Sequence, residues 1–264
     1  MNMKRLLYIS CLLLAVSCAQ LDNSYFIPGM DGEVVNPDQN VSGPATPDVI
    51  LPNQVKVMSF NVRVGSENGT DPQDWPARRK SVKPLLTKEN PTVIGLQEAL
   101  KHQMDYISLE MEDYGAYGVG RDDGKSSGEI MTLLWNKKQV FCERMGTFWL
   151  SPTPEEPSKG WDAAFNRICT WAILENKQTG EKYIHMNSHF DHKGQEARSN
   201  SLKMIVEKSK EYENIPAVFT ADMNVKEGSE NYKEIADNSI FKDTKYTAEN
   251  GNATKPHAIE KHFD

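Results

Sequence analysis

Apolar and polar positions change period repeatedly along the chain, and each change marks an element. Val55 to Val62 is a buried-strand pattern that ends in polar residues, and Trp75 to Leu86 carries apolar residues at helical spacing. Thr92 to Leu96 is a short apolar run before Gln97-Glu98, and His102 to Met111 predicts the next helix. From Tyr114 to His189 the pattern is mostly β, with strands predicted over Tyr114–Gly120, Glu129–Trp135, Val140–Leu150, Arg167–Glu175 and Lys182–His189. Turn clusters such as Asp122-Asp123-Gly124 and Lys177-Gln178-Thr179-Gly180 separate them. Ala197 to Tyr212 reads as a helix, Ala217 to Ala221 as a strand and Asn231 to Ala236 as a short helix. Strands interspersed with helices over one continuous stretch, without an internal repeat, predict a single mixed α/β domain over residues 55–264.

The chain before this stretch has a different texture. Lys4-Arg5 followed by the apolar run Leu6 to Val16 is too short for a membrane span and reads as a secretory leader outside the fold. Leu14-Ala15-Val16-Ser17-Cys18 resembles the lipobox of bacterial lipoproteins, which makes residues 1–18 a lipoprotein signal and Cys18 the lipidated residue. A plain soluble signal in which Cys18 is incidental is the other reading. Residues 19–54, rich in Pro, Gly, Asn and Asp and without periodicity, form a flexible tether. The expected location is therefore the bacterial envelope, outer membrane or periplasm, held by the N-terminal lipid. Of the four cysteines, Cys142 and Cys169 belong to the domain; a disulfide between them and two buried thiols both stay open.

Composition narrows the partners. Against 30 basic residues stand 37 acidic ones, a net charge of −7, which supplies no global field for a polyanion. Binding of long nucleic acid through bulk charge is disfavoured, whereas a local site that recruits a metal is not.

Candidate chemistry lies where apolar strands end. Asn61 follows Met58-Ser59-Phe60, Glu98 follows Ile94-Gly95-Leu96-Gln97, His189 follows Ile184 to Ser188, and Asp222 and Asn224 follow Val218 to Ala221. Ligands in α/β sheets sit at such ends, so four of them suggest one site. The set is dominated by oxygen donors, with a single His and no Cys, which suits magnesium or manganese better than zinc.

Ser59-Phe60-Asn61-Val62, Gln97-Glu98, Ser127-Gly128-Glu129, Asn187-Ser188-His189-Phe190-Asp191 and Ala221-Asp222-Met223-Asn224 together resemble, in order and spacing, the endonuclease/exonuclease/phosphatase superfamily. Gly118 to Gly124 and Gly146 to Ser151 resemble a branch common among secreted bacterial proteins. The resemblance implies two mixed β-sheets packed face to face with helices on the outside. It also implies magnesium-dependent hydrolysis of a phosphate ester: a nucleic acid, a phospholipid or a sugar phosphate. No obligate protein partner is evident. By the same resemblance Glu98 is the chief metal carboxylate with Asn61 beside it, His189 faces the scissile phosphate, and Glu129 orients its imidazole. Asp222 positions or deprotonates the attacking water, Asn224 donates to a phosphate oxygen, and Arg167 contacts phosphate.

Taken singly, these residues have ordinary structural explanations, and it is their joint order that argues for a site. Asp74 reads most simply as the N-cap before Trp75, Trp149 as packing, and Trp161 as packing or as a flank of the substrate. Two functions of other classes compete. His189-Phe190-Asp191-His192 matches a zinc-hydrolase pattern, although Asn187 stands where that pattern has another His. A non-catalytic surface lipoprotein that keeps the fold is the second. It draws support from the end of the sequence, where Asp264 matches the Asp of the superfamily's Ile-Asp-Tyr strand and the closing Asp-His does not follow.

Overall fold

The computed structural model describes residues 14–17, 54–70, 73–212, 214–236 and 240–244. Cys18, the tether apart from Gln54, and His257, His262 and Asp264 lie outside these residues.

The first sheet contains β1 (Leu14–Ser17), β2 (Val57–Asn61), β3 (Val93–Gln97), β4 (Tyr114–Tyr117) and β5 (Leu133–Asn136), in the order β1-β2-β3-β5-β4. The second contains β6 (Val140–Trp149), β7 (Ile168–Asn176), β8 (Lys182–His189) and β9 (Ala217–Asp222), in sequential order. β1–β2, β2–β3 and β8–β9 pair in parallel and the other neighbours antiparallel, so both sheets are mixed.

Period-two alternation divides each strand between two cores. Met58, Phe60, Ile94 and Leu96 point outward to helices α1 (Trp75–Glu89) and α2 (Lys101–Glu110), where they meet Trp75, Val82, Leu86 and Ile107. Val57, Val93, Leu133 and Trp135 point the other way, against Ala172, Leu174, Tyr183 and Val218 of the second sheet. On the far side Ile184 and Met186 pack under Leu202 and Ile205 of α3 (Gln195–Lys210). The result is the expected stack of two sheets between outer helices, with α4 (Glu230–Ala236) following β9. Truncating a fully buried side chain such as Leu86 would cost about 2–5 kcal/mol, because the site cannot collapse around the lost volume.

Local sequence explains much of the helix placement. Pro76 occupies the first turn of α1, where no N–H is required, and Trp75, Arg78, Val82 and Leu86 form its buried stripe. Asn90 closes the helix in the left-handed conformation, φ 43°, donating its N–H to Leu86 O at 2.9 Å. Asp74 holds the N-cap position as expected, but its side chain makes no capping bond. α3 begins two residues earlier than predicted, since its capping oxygens come from Asp162, which accepts from Glu196 N at 3.3 Å and Ala197 N at 2.7 Å.

Two expectations differ from the structure, and the open question of the cysteines is answered. The strand predicted from Glu129 begins only at Leu133, because Ile130 bridges both Ala99 and Gly120 and Thr132 N–H turns back to Ile130 O at 2.9 Å. Leu14–Ser17, expected outside the fold, runs parallel to β2 with Ser17 opposite Asn61 in the full chain; processing ahead of Cys18 would remove this strand and return β2 to the sheet edge. Cys142 and Cys169 are both free: in the β6–β7 register Cys142 lies opposite Leu174 and Cys169 opposite Phe148, so the two are offset along the strands.

Candidate active site

The alternation that builds the central core also aims the polar residues. In β2 the inter-sheet row is Val57, Ser59, Asn61, and in β3 it is Val93, Gly95, Gln97, with Asn61 and Gln97 in register at the strand ends. In the other sheet His185, Asn187 and His189 of β8 face inward beside Val218, Thr220 and Asp222 of β9, with His189 and Asp222 in register. Four strands thus end at one level, and their last inward residues converge.

Behind the convergence lies a buried polar clamp. Gln97 Nε2 donates to Asn187 Oδ1 at 2.7 Å and to Ser59 Oγ at 3.2 Å, while Asn187 Nδ2 donates to Leu96 O at 2.7 Å. Thr220 Oγ1 donates to Asn187 Oδ1 at 3.1 Å and stands 3.0 Å from His185 Nε2. Burial pushes His185 down to about 3, so it is a neutral member of the network. Gly95 makes the close approach possible: a Cβ there would lie 2.0 Å from Thr220 Oγ1.

In front of the clamp, Asn61 Nδ2 donates to Glu98 Oε1 at 2.8 Å and to Asp222 Oδ2 at 2.9 Å. Glu98 Oε2 accepts from Val64 N at 2.8 Å. Glu98, Asp222 and His189 bring one ligand atom each to within 4.8 Å of one another. Among the described residues no Lys or Arg pairs with either carboxylate. At that separation two unscreened carboxylates repel by about 3–4 kcal/mol at an effective dielectric near 20. A divalent cation removes this cost, and the oxygen-rich donor set fits a hard ion. Glu98 holds its position with left-handed backbone, φ 61°, at a strain of roughly 1–2 kcal/mol, and Asn224 does so at φ 48°, which its residue type tolerates.

His189 is held from both sides. Its Nδ1 lies 3.2 Å from Glu129 Oε2, its Nε2 lies 3.0 Å from Asn224 Nδ2, and Asp222 Oδ2 stands 4.0 Å from Nε2. Asn224 also donates to Phe190 O at 3.0 Å. Burial would raise the Glu129 carboxyl, but the His189 hydrogen bond and the charges of Arg121 and Arg167 outweigh it and hold the group below its ordinary value. Arg121 Nη1 is 2.9 Å from Glu129 Oε2, an ion pair without hydrogen-bond alignment.

Arg167 is placed differently from what the resemblance implied. It is 4% exposed and spent internally, with Nε donating to Asp191 Oδ2 at 3.2 Å and Nη1 to His189 O at 3.4 Å. It positions the His189 loop, and no open face is left for phosphate. Asp191 is likewise internal, accepting from Lys193 N at 2.9 Å and Gly194 N at 2.8 Å. His192 Nδ1 stands 3.3 Å from Arg167 Nη2. Asp191 and His192 therefore do not join His189 around a common metal position, which removes the geometric basis of the zinc-hydrolase pattern. Trp149 is packed, with Nε1 donating to Arg121 O at 2.7 Å, and Trp161 is half-buried with φ 47°.

One positioning residue was not singled out from the sequence. Arg78, buried in α1, donates to Gln73 O at 2.6 Å, to Arg63 O at 2.8 Å and to Val62 O. It thereby holds the loop that carries Val64 to Glu98. An Arg on the apolar stripe of a helix was the available signal.

Stacked mixed sheets with a carboxylate–histidine cluster at their strand ends define a class of hydrolases that act on phosphate esters and generally use divalent metals. The chain belongs to the Endonuclease/Exonuclease/phosphatase family, whose model matches residues 58–241. An endonuclease/exonuclease/phosphatase from Bacteroides vulgatus is 36% identical with a TM-score of 0.66, covering 69% of this chain and 70% of that one. A mannosyl-6-phosphatase from Bacteroides thetaiotaomicron is 36% identical with a TM-score of 0.64, covering 67% and 68%. An uncharacterized protein of Acanthamoeba polyphaga mimivirus is 27% identical over 145 residues, 52% of this chain and 54% of its own, so the chain spans about half of that relative's length.

Proposed function

We propose that this chain is a magnesium-dependent phosphate-ester hydrolase, tethered to the bacterial envelope through Cys18, with sugar phosphates as its substrate class. The observation that carries the reading is the pair of carboxylates, Glu98 and Asp222, bonded to one Asn61 amide at 2.8 and 2.9 Å with His189 beside them and, among the described residues, no Lys or Arg paired with either. The sugar-phosphate class rests on the 36% identity to the mannosyl-6-phosphatase.

Glu98, with Asn61 beside it, is the residue to hold magnesium; Mn2+ suits the same donors. When bound, the ion supplies positive charge for the phosphate oxygens and lowers the cost of bringing an anion between two carboxylates. Asp222, with a third of its side chain exposed (33%), positions the attacking water and takes its proton as the water oxygen–phosphorus bond forms and the ester oxygen–phosphorus bond breaks, the leaving alkoxide taking a proton from solvent. His189 presents Nε2 to the phosphate, and the Glu129 carboxylate behind Nδ1 stabilises positive charge on the ring. Both N–H groups of the Asn224 amide are spent, one toward Nε2 and one on Phe190 O, so it serves to fix the imidazole, and donation to a phosphate oxygen would require one of these bonds to be given up. Arg167 acts by fixing the His189 carbonyl and Asp191.

The test is steady-state hydrolysis by the full chain of mannose 6-phosphate, a nucleoside monophosphate and a small phosphodiester, with Mg2+ and with chelator. Metal-dependent release of phosphate, highest from the sugar ester, is the expected result. Turnover that survives chelation overturns the metal assignment, and preference for the diester overturns the substrate class.

A further inference from the structure

The described residues expose five large apolar side chains, Val64, Leu109, Phe141, Met145 and Phe165, and two of them border the candidate site. Val64 N–H donates to Glu98, and Phe165 N–H donates to Asp191 Oδ2 at 3.3 Å. Phe165 is 49% exposed, yet its ring is fixed. It stacks on His192 with centroids 5.8 Å apart and an interplanar angle of 28°. Arg121 Cζ lies 4.9 Å from its centroid and Arg167 Cζ 6.0 Å. These anchors are the residues that hold the site itself, since Arg121 pairs with Glu129 at 2.9 Å and Arg167 donates to the His189 carbonyl.

An exposed phenylalanine is ordinarily unremarkable, but contacts with two guanidinium groups and an imidazole favour one placement of this ring. Such a ring binds a flat apolar surface at low entropic cost, as rigid aromatic anchors do in binding sites. Val64 and Phe165 thus add apolar surface beside the charged groups of the site.

We infer that Phe165 is a specificity-determining residue whose exposed ring stacks on the apolar C–H face of a pyranose while the phosphate reaches His189. The inference rests on the sugar-phosphate reading above and names the contact that selects for it.

The experiment compares mannose 6-phosphate with glycerol 3-phosphate, which lacks a ring, for the parent, Phe165→Ala and Phe165→Tyr. The kcat/KM ratio favouring the hexose ester falls about ten-fold in Phe165→Ala, chiefly through KM, and returns in Phe165→Tyr. An equal loss on both esters, or no loss on either, overturns the inference. A preference for a nucleoside monophosphate that falls instead on Phe165→Ala also overturns it, by reassigning the ring. Calorimetric binding of both esters in Mg2+ separates the two readings: if the parent binds the hexose ester more tightly in a Phe165-dependent way but turns over neither, the inference stands and the hydrolase reading fails.

Discussion

The amide nitrogen of Asn224 lies 3.0 Å from Nε2 of His189 and 3.0 Å from the carbonyl oxygen of Phe190. A carbonyl oxygen only accepts, so the atom facing it is the NH2 and not the amide oxygen. That NH2 only donates, so Nε2 of the neutral ring is bare and the proton sits on Nδ1, donated to Glu129 at 3.2 Å. The backbone carbonyl of the next residue, Phe190, thus decides, through Asn224, which nitrogen of His189 carries the proton.

Asn224→Asp replaces that donor with an acceptor while keeping a side chain that tolerates φ 48°. Nitrogen-15 spectra of the imidazole are expected to show a bare Nε2 in the parent and a protonated one in the variant, with turnover lowered by about a hundred-fold or more. An unchanged Nε2 signal would show that Asn224 does not set the tautomer.

Glu98→Gln removes one of two converging charges at little change in volume. In metal-free solution the melting temperature should hold steady or rise, because the repulsion with Asp222 is relieved. Magnesium at a hundred times its dissociation constant stabilises the parent by about 2.7 kcal/mol, and most of this shift should vanish in the variant. Thermal melts with and without Mg2+ read both effects, and an undiminished magnesium shift would exclude Glu98 as the ligand.

Burial opposes ionisation of Asp191, but the backbone N–H groups of Gly194, Lys193 and Ala164 and the Arg167 guanidinium hold its carboxyl far below the usual carboxylate range. A depressed folded-state value means stability that is fully present above the unfolded value, about 4, and lost as the pH falls below it toward the folded value. Asp191→Asn should therefore be clearly less stable than the parent at pH 7, with the gap narrowing below about pH 4. Denaturant unfolding at both pH values measures it; a gap independent of pH would mean that the charge contributes nothing.

Gly95→Ala inserts a methyl group 2.0 Å from Thr220 Oγ1 and 2.6 Å from Asn187 Oδ1. The sheets must separate or the clamp must break, at a cost of about 1–3 kcal/mol or more. Because the clamp lies directly behind Asn61 and His189, turnover should fall together with stability. A variant with parental midpoint in denaturant would show that the sheets have slack at this level.

Cys18→Ser should move the protein from the membrane to the soluble fraction and leave the N-terminus without acyl mass, since the acylated Cys is the proposed anchor. Fractionation and intact-mass measurement on the expressed full chain decide this, and persistent membrane association with unchanged mass would dismiss the lipid anchor.

Alternation and spacing determined most of the architecture. Val57 and Val93 facing one way, with Phe60 and Leu96 facing the other, follow from period-two sequences that need burial on both sides, and the α1 stripe follows from its period. Polar residues at the ends of apolar runs marked Asn61, Glu98, His189 and Asp222, because a buried strand tolerates such side chains only where it leaves the core. What remained for the tertiary structure were the properties that depend on which strands become neighbours. Registers between β2 and β3 and between β8 and β9 brought the strand ends level. The Asp162 cap of α3 and the Arg78 brace reach across 34 and 15 or more residues, so their partners are not given by any local pattern. The family resemblance implied that Arg167 contacts phosphate, yet its position beside His189 and Asp191 makes it a brace. A side chain's chemistry is written in its residue type, but whether that chemistry is spent inside the protein or offered to a ligand depends on the atoms that fold against it.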